Sequence, residues 1–81
     1  MNNAEMDDIV KEWLSKTYKN IKLPQGSMEL HFFIVDVEFE FTRWVAEIDQ
    51  QKKLELRTMG VISESDRVTI KGRMYLMKLL K

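Results

Sequence analysis

Eighty-one residues, 44% of them hydrophobic and 10% aromatic, suffice for one small domain spanning 1–81 and are too apolar for a disordered chain. No cysteine is present, which excludes disulfides, thiol catalysis and cysteine-based zinc sites. The formal net charge is zero, but residues 1–41 carry four basic and eight acidic side chains whereas residues 42–81 carry nine and five. That asymmetry marks either a basic binding face in the second half or the ordinary variation of a solvated surface.

The first residues, with Asn2, Asn3, Glu5, Asp7 and Asp8, do not form a basic-then-apolar leader. No stretch approaches the ~20 apolar residues of a membrane span. A cytoplasmic location is therefore expected by elimination. Met6, Ile9, Val10, Trp13, Leu14 and Tyr18 recur at three- and four-residue spacing, which predicts an amphipathic helix over residues 6–19. Asn3 suits its N-cap, and Asp7 and Asp8 suit the positive end of its dipole.

Pro24 and Gly26 predict a turn, with Ile21 and Leu23 before it and Met28, Leu30 and Phe32 after it suited to a short hairpin. From Glu29 to Phe41 the aromatic and β-branched content favours strand, and Val37-Glu38-Phe39-Glu40-Phe41 alternates cleanly, although Val37, Phe41, Val45 and Ile48 also fit a helical stripe. Helix is expected after Thr42, where Phe41, Val45, Ile48, Leu56 and Met59 share a face and Gly60 stands where a C-cap belongs. Leu54-Glu55-Leu56 would equally suit a strand.

Little in the chain points to chemistry. His31 is the single histidine, and a metal site needs three or four ligands that nothing else supplies. Glu38 and Glu40 would share one face of a strand, where a solvated edge explains them better than acid–base work. The three glycines, Gly26, Gly60 and Gly72, are too far apart for a phosphate loop. No enzymatic activity, cofactor or metal is expected. Met59, Met74 and Met77 suit either core filling or an adaptable contact surface.

At the C-terminal end, Leu56 stands four residues before Gly60-Val61-Ile62. The polar turn Ser63 to Asp66 follows, then Val68-Thr69-Ile70-Lys71-Gly72-Arg73-Met74-Tyr75-Leu76. Over residues 54–80 this resembles the wing end of a winged-helix DNA-binding domain, whose returning strand often reads apolar-Thr-x-Lys-Gly-x-x-aromatic-Leu. The resemblance implies an α+β fold with an N-terminal helix and a C-terminal wing plus helix. It also implies a small bacterial or phage DNA-binding regulator, dimeric, that contacts duplex through Arg43, Gln50, Gln51, Lys52, Lys53, Arg57, Arg67, Lys71 and Arg73. Thr69 is a good N-cap for the last helix, and Gly72 allows close packing there. The residues leave a second arrangement open, a helix on an antiparallel β-meander that ends in Arg67–Leu76 as a strand. They also leave open a second function, a protein-interaction module such as a phage accessory protein or inhibitor whose acidic half docks on a basic partner.

Overall fold

The computed structural model describes residues 3–19 and 22–81, which form four helices: α1 (Asn3–Thr17), α2 (Ser27–Glu47), α3 (Gln50–Thr58) and α4 (Ile70–Leu80). α1 follows from its periodicity, with Met6, Val10 and Leu14 buried on one side. Its Trp13 ring lies nearly parallel to Trp44 of α2, centroids 5.4 Å apart, and meets Phe41 edge-on at 5.6 Å. Tyr18, just beyond α1, meets Phe33 in the same way at 5.6 Å. These aromatic contacts join α1 to α2.

The expected α+β fold, winged helix or meander, is overturned, because the described residues hold no sheet. The predicted strand over residues 29–41 is the first half of the longest helix in the protein. Two periods compete in that segment. Ile34, Val37, Phe41 and Val45 recur at 3, 4 and 4 residues, and all four are buried. Burial of that face, with Phe41 against Trp13 of α1, outweighs the strand propensity of the same residues, a preference that context readily reverses. Residues 22–26 break the chain as predicted but lead into α2, not a hairpin. Ile21 lies outside the described residues.

The single helical face predicted from Phe41 to Met59 is divided between two helices. Ile48 and Asp49 are extended, and the Asp49 carboxylate accepts from the Lys52 backbone N–H at 2.9 Å, capping α3. α3 closes as Gly60 predicts. Gly60 has a φ of 79°, its N–H reaches Arg57 O and the Val61 N–H reaches Leu56 O, both at 3.0 Å.

The two expected wing strands reduce to one antiparallel bridge between Ile62 and Val68. Ser63 N–H donates to Arg67 O at 2.8 Å to close the tip, and Asp66 takes a left-handed φ of 64°. Pairing stops there because Thr69 immediately starts α4. Its hydroxyl donates to Gly60 O at 2.6 Å and accepts from the Gly72 N–H at 2.9 Å. The segment read as a possible final strand, Arg67–Leu76, is thus mostly helix. The core gathers Met6, Val10, Leu14, Val37, Phe41, Val45, Leu56, Val61, Ile62 and Leu76, drawing on all four helices and the 61–62 segment.

Candidate functional site

Of the nine residues expected to touch DNA seven are cations, and four of those are engaged within the chain. Arg57 of α3 grips Asp66 through Nε at 3.0 Å and Nη2 at 2.6 Å, tying the 63–67 loop to the helix. Arg73 of α4 donates to the Glu38 carboxylate of α2. Lys52 Nζ lies 2.6 Å from Asp49, and Arg43 lies 3.6 Å from Glu40. The Lys52 bond holds the Asp49 carboxyl below its ordinary range. Lys71 arches over Gly60. Gln50, Gln51, Lys53 and Arg67 make no side-chain hydrogen bond or ion pair among the described residues. The structure therefore divides the six residues expected on one recognition helix, Arg43 to Arg57, between α2 and α3, and sets Arg67 in the 63–67 loop and Lys71 and Arg73 on α4.

Helix in place of strand also rearranges the carboxylates. Glu38 and Glu40, expected on one face, diverge by about 200° of helical rotation: Glu38 turns to α4 and Glu40 to Arg43. His31 is exposed, with its ring 5.9 Å from Phe32. Among the described residues no group of histidine, aspartate or glutamate is placed to hold a metal ion. No helix among them is long and apolar enough to cross a membrane.

The unexpected feature is apolar. Met28, Phe32 and Phe39 on α2, and Ile70 and Met74 on α4, are between 64% and 84% exposed. On α2 the exposed residues and half-buried Val35 fall at i, i+4, i+7 and i+11; Ile70, Met74 and half-buried Met77 repeat the first three of those positions on α4. Each set is one stripe, on the side of its helix opposite the core. The Arg73–Glu38 pair ties the two helices together between the stripes, with Phe39 and Met74 next in sequence to the paired residues. A shallow depression of about 520 Å³ over α4 is lined by Lys71, Met74, Tyr75, Met77, Lys78 and Lys81. Sequence reasoning took Phe32 and Phe39 for strand residues; their i, i+4, i+7, i+11 spacing with Met28 and Val35 was the available signal for a second, outward face.

Both tyrosines are held in the neutral form. Tyr18 is pushed up to about 12 by burial, with Asp36 and Glu40 adding to it, and its hydroxyl is buried with no hydrogen-bond partner among the described residues. Tyr75 is raised further by burial and by its bond to Asp7, 2.5 Å long. That bond fastens α4 to α1. No known family, curated protein or solved structure matches the chain.

Proposed function

We propose that the chain is a protein-interaction module that docks a partner on the outer faces of α2 and α4. The observation that carries this reading is the pair of apolar stripes. Five large side chains at least 64% exposed, set in two stripes on either side of the Arg73–Glu38 pair, exceed the single scattered apolar residues ordinary on a surface, and apolar surface concentrated in this way marks contact sites. Met28, Met74 and Met77 suit such a surface, since the unbranched thioether adapts to different partner shapes. The acidic side chains of α2 add the charge expected to meet a basic partner.

The test compares wild type with Phe32→Ser/Phe39→Ser, both confirmed helical by circular dichroism, as baits cross-linked in the native cell. A specific protein held by wild type and lost from the variant supports the reading. Equal retention by both, or no specific protein with wild type, overturns it.

Duplex DNA binding is a second reading, favoured by one local observation. Gln50, Gln51 and Lys53 make no side-chain pairing in the first turn of α3, where their side chains can meet phosphate and base edges, and Arg67, likewise without a side-chain partner, follows in the loop. Fluorescence anisotropy with random duplex at about 50 and 200 mM salt tests it, because phosphate contacts predict affinity that falls steeply with salt. Absence of binding at the lower salt rules it out.

A further inference from the structure

We propose that the occupant of this face is a second copy of the chain, with α2 of one copy against α4 of the other; the proposal rests on the interaction reading and specifies its partner. The order of charge across the face carries the argument. On the side of α2 opposite Glu38, beside the stripe, runs an acidic row of Glu29, Asp36, Glu40 and Glu47, in which Glu40 is engaged with Arg43 while Asp36 and Glu47 are exposed. Beside the α4 stripe, one residue on, stand Lys71 and Lys78, on the side opposite Arg73. α4 contains no acidic residue.

Crossing the face therefore meets, in order, the acidic row, the α2 stripe, the Glu38–Arg73 seam, the α4 stripe and the basic row. Two copies facing each other with α2 on α2 set acid against acid and base against base. With α2 on α4, acid meets base at both edges, and a two-fold axis makes the contact twice. The stripes match as well over the length of α4, since both repeat at i, i+4 and i+7. At about 100 Å² of exposed area per side chain, the five exposed residues offer roughly 500 Å² of the ~800 Å² per partner that a standard interface buries. The flanking rows supply much of the remainder.

The experiment is a charge exchange read by sedimentation equilibrium. Wild type is compared with Asp36→Lys/Glu47→Lys, with Lys71→Glu/Lys78→Glu, and with an equimolar mixture of the two variants, all checked for helix content. The expected result is a wild-type dimer at about 100 µM, at least tenfold weaker association of each variant alone, and recovery in the mixture, where every reversed row again meets its opposite. A monomeric wild type overturns the proposal, as does a dimer whose loss in the variants is not recovered on mixing. Failure here is distinguishable from failure of the broader reading: a monomeric wild type that still loses a cellular partner on Phe32→Ser/Phe39→Ser removes self-pairing alone.

Discussion

A β-carbon on Gly72 would stand 2.1 Å from the Val61 carbonyl oxygen and 3.0 Å from a Val68 methyl group. Alanine is the better helix former by about 1 kcal/mol, but backbone cannot retreat as a flexible side chain can. Gly72→Ala is therefore expected to destabilise by about 2 kcal/mol or more in urea denaturation, through overpacking. Gly60→Ala meets only the movable Lys71 chain and loses the left-handed φ, at a cost of roughly 1–2 kcal/mol. The larger loss should be at Gly72. The capping roles of Thr69 and Gly60 were legible in the sequence because each involves backbone groups three or four residues away, and Gly72 was legible as a place of close approach, though Val61, eleven residues back, was not. The tyrosines were not, since their environments are tertiary. Tyr18 and Tyr75 are the chain's two tyrosines, and the fold raises both above the ordinary 10.0. A phenol is neutral when protonated, so this contribution to stability is complete below pH 10 and declines as pH rises from there through about 12 for Tyr18. Phenolate absorbance of the folded chain should lag the urea-unfolded chain on alkaline titration; coincident curves would contradict the burial described.

At the scale of elements, α1 could be read because a single period runs through it, whereas α4 was announced by its Thr69 cap but left a strand over Arg67–Leu76 open. α2 could not be read, because Val37 to Phe41 satisfies the two-residue period while Ile34, Val37, Phe41 and Val45 satisfy the helical one. Local preference does not decide between them; the aromatic contacts of Trp13 and Tyr18 do. A peptide of residues 27–47 alone, rich in aromatic and β-branched residues, should then show little helix by circular dichroism and gain it only when α1 is supplied. Strong helicity in isolation would mean that propensity, not packing, sets this element. The helix also creates the candidate site. On a strand Phe39 would share the face of Val37 and Phe41; on the helix it turns outward while they remain buried. For α4 the cap is decisive. Thr69→Ala removes the oxygen that accepts from Gly72 and the hydroxyl that reaches Gly60 O, so a loss of at least ~1 kcal/mol is expected in the same denaturation assay.

For the whole molecule, the charge asymmetry visible in the sequence resolves into something more specific than a basic half. Arg57 finds Asp66 nine residues away and Arg73 finds Glu38 thirty-five residues away, pairings no linear spacing announces. They consume cations that the sequence reading assigned to DNA. What remains outward is an acidic row on α2, a basic row on α4 and two apolar stripes. If two copies pair through these, folding and association are linked by mass action, and the thermal midpoint should rise with protein concentration. Salt separates the two contributions. The charged rows are exposed, and the Debye length shrinks to about 3 Å at 1 M, so salt should weaken pairing without abolishing it. The apolar stripes persist under those conditions. Phe32→Ser/Phe39→Ser should therefore abolish the concentration dependence at every ionic strength, whereas Asp36→Lys/Glu47→Lys should reduce it most at low salt. Calorimetric scans over a hundredfold range of concentration test both expectations. A wild-type midpoint independent of concentration would show that folding does not depend on a second copy.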